Sequence, residues 1–250
     1  MNWSALGIGI VGGIAVAFIL YLIARARGWI KIGWTTFFRF HHLLYRIRSA
    51  GVENFYVSRD DYVKYRHAPK LTDYLRLAHD SIHISAYWMA HGNEAEGAAQ
   101  EIANLVRPPK NLDTEIGVID PTGTCIPELS RYLGISIEEL RSRICYSLEC
   151  LHKARLSLGP ELQKKFRIKV YSTIPAASVI MLDANKDSGR TQIEFKPYHV
   201  PRHYSFAMEL TRPGSSLYDL CTKAWLDLLR DAEDFDPDRH LINCRTNEST

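Results

Sequence analysis

Between residues 52 and 228, short stretches of alternating apolar side chains are separated by stretches in which apolar side chains recur every three or four residues. Few folds are open to a chain with that order, because each strand face and helix stripe must find a cover. Residues 52–57 and 82–88 read as strands. In the second, Ile82, Ile84, Ala86 and Trp88 share one face, which leaves His83 on the other. Leu71, Tyr74, Leu75 and Ala78 make a one-sided helix, 94–106 a second, and 115–119 a strand closed by Asp120–Pro121. Ser136, followed three residues later by Glu139, opens a longer helix with Leu140, Ile144, Leu148 and Leu151 on its apolar side. Gly159–Pro160 ends it, and a short helix runs on to Lys165. Strands are expected at 167–173, 178–182, 191–196 and 204–210, then a helix from Ser216. The expected fold is α/β, a mixed sheet flanked by helices, forming one domain over 50–235 with a flexible polar tail at 236–250.

The amino-terminal part follows a different rule. Residues 1–24 carry no charged side chain, and 5–24 is an unbroken apolar run. Twenty helical residues measure about 30 Å, the thickness of a bilayer core, so the run is expected to be a transmembrane helix. Arg25, Arg27, Lys31, Arg39, Arg46 and Arg48 follow, with no acidic residue among them. They predict a single-pass protein whose carboxyl-terminal domain is cytoplasmic, and a basic amphipathic collar over 25–49 that binds anionic lipid. Gly9 and Gly13 permit close helix packing and hence homo-oligomerisation. With those six cations set aside, the body holds 25 basic against 28 acidic residues, which argues against a nucleic-acid binder.

Five cysteines, at 125, 145, 150, 221 and 244, are odd in number and form no CxxC, so all are expected to be thiols. No metal site, cofactor motif or phosphate-binding glycine loop is present in the sequence. Candidate ligand contacts fall in three clusters and on one lone strand residue. SRDDY at 58–62 follows the first strand, where α/β folds place binding loops, and offers Arg59 and Asp60. Asp120 ends a strand with Thr122 and Thr124 close behind. The segment 196–204 gathers Lys196, His199, Arg202 and His203 between two strands, a composition suited to an anion. His83 is the lone strand residue. Each cluster also has an ordinary reading as a turn, a cap or an exposed basic hairpin.

The wording of VENFYVSRDDY (52–62), LTDYLRLAHDSIHISAYW (71–88), TEIGVID (114–120) and IKVYSTIPAASVIMLD (168–183) resembles one half of a phospholipase D-like protein. The resemblance covers about 52–230. It implies a signature of a nucleophilic histidine, a lysine two residues later and an aspartate five residues beyond. Those positions here are Ala176, Ser178 and Asp183, so only the aspartate remains. Alanine supplies no nucleophile and serine no cationic clamp, so the family's reaction is not expected. The resemblance also extends to membrane-anchored components of bacterial signalling and anti-phage systems.

Three readings follow. The first is a membrane-tethered, non-catalytic interaction or sensor/effector domain for a phosphorylated ligand, lipid headgroup, nucleotide or protein partner. The second is a phosphodiesterase with a noncanonical site built from Arg59, Asp60, Asp120, His83 or the 196–203 cluster. The third is a membrane-disrupting effector. Convergence of His83, Asp120 and His199 or His203 in one pocket favours the second, and scatter favours binding.

Overall fold

The computed structural model describes residues 34–56, 70–89, 92–199, 205–212, 216–241 and 244, except for the side chains of 34–40, Leu44 and Ser216. The chain divides into two units, residues 1–48 and residues 49–250. In the first, a helix α1 (Trp34–Ser49) carries Arg46 and Arg48 in its last turn and no acidic residue in its first.

The second unit is built on β1 (Val52–Tyr56), β2 (Ser81–Ala86), β3 (Asp113–Ile119), β4 (Phe166–Tyr171), β5 (Ser178–Leu182), β6 (Arg190–Phe195), β7 (Phe206–Thr211) and β8 (Glu233–Asp234). These form one eight-stranded sheet in the order β1-β7-β6-β5-β2-β3-β4-β8. Strands β2, β3 and β4 are parallel, with Ile84 opposite Ile116 and Ile116 opposite Ile168. The remaining pairings are antiparallel. The mixed sheet expected from the sequence is therefore observed.

Helices cover it because each presents an apolar stripe. Helices α2 (Leu71–Leu75), α3 (Asn93–Val106), α4 (Ile126–Leu133), α5 (Ile137–Leu156) and the short α6 (Pro160–Gln163) fall among the parallel strands in the chain. Ala99, Ile102, Leu140, Ile144 and Leu148 enter one core with Ile82, Ile84, Ile116 and Val170. α7 (Ser216–Asp231) closes a second core, in which Tyr218 and Leu229 meet Val179, Met181, Ile193 and Leu210. A parallel centre buried on both faces explains why the second half of β3, Ile116–Ile119, is an apolar run. α5 starts where its cap predicts, since Ser136 Oγ accepts from the Glu139 amide at 3.0 Å.

Several expectations are corrected. Among the described residues no helix is long and apolar enough to cross a membrane. The run 5–24 lies outside the described residues, as do Arg25, Arg27 and Lys31. The transmembrane helix and the single-pass assignment built on it are therefore withdrawn. The last strand before α7 begins at Phe206 rather than 204, and 200–204 is likewise outside the described residues. The segment 126–133 is helix α4, with a proline in its first turn and Gly134 left-handed at φ 68° as its C-cap.

Residues 235–241 follow β8. Asp236 caps α8 (Pro237–His240), and Phe235, His240 and Leu241 are buried. Cys244 is joined to Cys145 of α5 by a disulfide, which corrects the reading of all five cysteines as thiols. Cys125, Cys150 and Cys221 are free.

Candidate functional site

The strand directions decide where chemistry-bearing side chains collect. β1 and β6 run the same way as β2, β3 and β4, whereas β5 and β7 run opposite. One edge of the sheet thus holds the carboxyl ends of five strands and the amino ends of three, β5, β7 and the antiparallel β8. Tyr56, Tyr87, Asp120, Ala176, Ser178 and Lys196 lie at or just beyond that edge, the usual ligand side of an open α/β sheet.

Two buried aromatics after β2 organise it. The Tyr87 hydroxyl donates to the Pro175 carbonyl at 3.1 Å, which fixes the segment leading into Ala176. Burial, with Tyr132 and Glu194 nearby, pushes the Tyr87 phenol up to about 12, so it stays a neutral donor. The Met89 amide donates to Ser147 Oγ at 3.2 Å, which holds the end of this segment on α5. Lys196 Nζ stands 4.3 Å from the centroid of the Trp88 ring and 4.7 Å from that of Tyr87. The Arg143 guanidinium lies 5.4 Å from the Trp88 ring. Two cations therefore share one indole, an arrangement favoured by the negative face of the ring.

The positions of the degenerate signature flank these groups. Ala176 is exposed, and Ser178 pairs with Glu194 across β5 and β6. Ser178 Oγ is buried and has no hydrogen-bond partner among the described residues. Asp183 follows β5 in the left-handed region at φ 51° and is 2% exposed. Its Oδ1 accepts from the amides of His79, Asp80 and Ser81 at 3.0, 2.7 and 3.1 Å. Its Oδ2 also accepts from His79, at 3.1 Å. The carboxylate thus binds the entry of β2 to the exit of β5. The Lys186 amide also donates to the Asp183 carbonyl at 2.8 Å.

The other candidates do not converge. His83 lies near the opposite end of β2, its Nδ1 3.6 Å from Glu115 Oε2, with Arg167 and Lys169 also beside Glu115. Since His83 is level with Glu115, Asp120 sits five residues further along, roughly 16 Å away. The nearby His83 imidazole leads the causes that hold the Glu115 carboxyl below its usual range, against the opposing effect of burial. Asp120 is 6% exposed, and its Oδ1 accepts from both the amide and the hydroxyl of Thr122 at 2.8 Å, which braces the turn into α4. The His199 amide donates to the Tyr132 carbonyl at 3.0 Å, and its Nε2 lies 2.6 Å from the Arg131 carbonyl. His199 therefore serves the carboxyl end of α4 rather than an anion cradle. Arg59, Asp60, Arg202 and His203 lie outside the described residues.

Of the sequence candidates, Lys196, Ala176 and Ser178 share this edge with Asp120, while His83 does not. Tyr87, Trp88 and Arg143 were missed, because a buried aromatic beside a strand reads as core. The signal that finds them is the register that places 87–88 beside 178 and 196. Among the described residues no cluster of three or more histidine, cysteine or acidic side chains has the geometry to hold a metal.

The chain matches no family model and no curated protein. Among solved structures it is similar to TrmBL2, an archaeal chromatin protein with a novel mode of DNA binding, at a TM-score of 0.42 and 10% identity. That superposition covers 90% of this chain and 70% of the other. A likeness of this degree says nothing of what the present chain binds.

Proposed function

We propose that residues 49–241 form a non-catalytic, phospholipase D-like binding domain that takes up a phosphorylated ligand at the edge marked by Ser178 and Lys196. The observation that carries this reading is the Lys196 ammonium beside Tyr87 and Trp88, on the same edge as Ser178, whose buried hydroxyl has no partner among the described residues. A phosphoryl oxygen supplies an acceptor to that hydroxyl and is attracted by the positive charge of Lys196. Turnover is not expected, because Ala176 offers no attacking atom and Ser178 no cationic clamp. Asp183 is committed to three backbone amides and takes no part in chemistry.

The test is calorimetric titration of the full chain with inorganic pyrophosphate, beside a turnover assay on a chromogenic phosphodiester. Lys196→Ala is expected to weaken binding by about 10- to 100-fold, as the loss of one charge-assisted contact does, while Lys196→Arg retains most of it. Arg59→Ala combined with Arg202→Ala tests whether those two cations add to the same site. Equal binding by wild type and Lys196→Ala rejects the site. Hydrolysis that survives purification and is abolished by Ser178→Ala rejects the non-catalytic reading.

A further inference from the structure

The segment that follows α7 is held in three ways. Glu233 and Asp234 pair with Val170 and Lys169 on the outer side of β4, and the Phe235 amide donates to the Ile168 carbonyl at 3.0 Å. Phe235 packs edge-on to His152 of α5 with ring centroids 5.7 Å apart, and His240 stacks on Phe235 at 5.8 Å. Beyond Leu241, Cys244 is bonded to Cys145, two turns before His152 on the same helix. The segment therefore straps the last strand of the sheet to α5.

Its noncovalent hold is slight. A two-residue strand and a four-residue helix are each too short to persist alone, and three buried side chains must offset the ordering of about ten residues. The one covalent link decides how much of the time the strap is down. When it lifts, β4 becomes a bare edge strand with unpaired backbone groups.

We propose that Cys145 and Cys244 form a redox-controlled clamp that covers or uncovers the outer edge of β4. Closure is a thiol–disulfide exchange with a low-molecular-weight disulfide such as oxidised glutathione. The thiolate of one cysteine attacks, forming a mixed disulfide and expelling one glutathione. The second cysteine then displaces the other glutathione as the Cys145–Cys244 bond forms. The two protein thiols lose two electrons and two protons, and one glutathione disulfide becomes two glutathione thiols. Opening is the reverse, with glutathione as reductant. Burial pushes the thiols of Cys125, Cys150 and Cys221 up, away from the reactive thiolate.

The experiment equilibrates the full chain in glutathione buffers spanning reducing to oxidising ratios. At each ratio, peptide-level hydrogen exchange is read over 233–241, over 166–171 and over the central strands. Alkylation and mass analysis count the paired cysteines in the same samples. In oxidising buffer one intramolecular disulfide is expected, linking 145 and 244. Reduction is expected to speed exchange over 233–241 and 166–171 by about tenfold or more while β2 and β3 keep their protection. Cys244→Ser and Cys145→Ser are each expected to match the reduced wild type in either buffer. Unchanged exchange on reduction overturns the proposal, as does failure of the two cysteines to pair under oxidising conditions. Loss of protection throughout the domain on reduction also overturns it, since the bond is then a global staple rather than a clamp on one edge. If either serine variant fails to fold, the wild-type redox series alone decides between these outcomes.

Discussion

Asp183 is the residue whose replacement separates a structural role from a chemical one. Its Oδ1 receives three backbone amides, from His79, Asp80 and Ser81, in a site only 2% exposed, while Oδ2 receives the His79 amide alone. A hydrogen bond to a charged acceptor contributes about 1.5–3 kcal/mol net, and each buried donor left without a partner costs about 1–3 kcal/mol. Asp183→Asn keeps a carbonyl oxygen for the three shared donors. It turns an NH2 group towards His79 N–H and removes the charge, so a loss of about 1.5–3 kcal/mol is expected. Asp183→Ala removes every acceptor and also places a residue ill-suited to φ 51° in the left-handed region, for a loss of about 3–6 kcal/mol. Both values are large against the about 5–15 kcal/mol that holds a typical domain together. Urea unfolding followed by circular dichroism gives the two differences directly. A cost below about 1 kcal/mol for Asp183→Ala refutes the reasoning. So does an alanine variant as stable as the asparagine one.

Three further perturbations test the packing and the charges. A Cβ on Gly117 would stand 2.5 Å from Leu229 Cδ2 and 2.8 Å from Tyr171 Cε1, so Gly117→Ala is expected to lower stability by about 1–3 kcal/mol in the same unfolding assay. Ser136→Ala removes the acceptor of the Glu139 amide and should cost about 1 kcal/mol, read as a lower melting temperature. The carboxyl of Glu115 is held below its ordinary value of 4.5 in the folded state. Its contribution is therefore complete above that value and is lost as pH falls below it. Thermal melts from pH 7 to pH 3 should show wild type losing more stability than Glu115→Gln on the acid side, and parallel curves contradict this.

What the sequence shows of this fold depends on the range of the interaction that makes each element. β2 and β3 were legible because alternation and apolar runs are local consequences of burial on a sheet. α5 was legible because Ser136 and Glu139 cap it at a spacing of three. α4 carries its own signals, Pro127 in the first turn and Gly134 at the C-cap, but it is short and its polar face of Glu128 and Arg131 reads as loop. The carboxyl-terminal strap was hidden for a different reason. Phe235, His240 and Leu241 are isolated among polar residues, and they are buried only by partners on α5 and β4 that lie far away in sequence. The disulfide joins residues 99 apart, a pairing that spacing cannot reveal. The same division runs through the candidate site. Lys196 stood out as a cation in a loop, and Ala176 and Ser178 as departures from a signature. Trp88, Tyr87 and Arg143 join them only through strand register and the placement of α5. His83 and His199, chosen for their chemistry, turn out to serve an ion pair on β3 and the end of a helix.

The central claim is that a phosphorylated ligand binds at the edge defined by β2, β5 and β6 and is not cleaved there. A backbone NMR titration of the full chain with inorganic pyrophosphate tests it most directly. The account predicts saturable shift changes at residues 87–89, 176–178 and 196, with little change at His83 and Glu115 near the far end of β2. The added pyrophosphate should remain intact throughout, as followed by its own phosphorus signal. Shifts that cluster around His83 and Glu115, shifts scattered without saturation, or conversion of the pyrophosphate would contradict it.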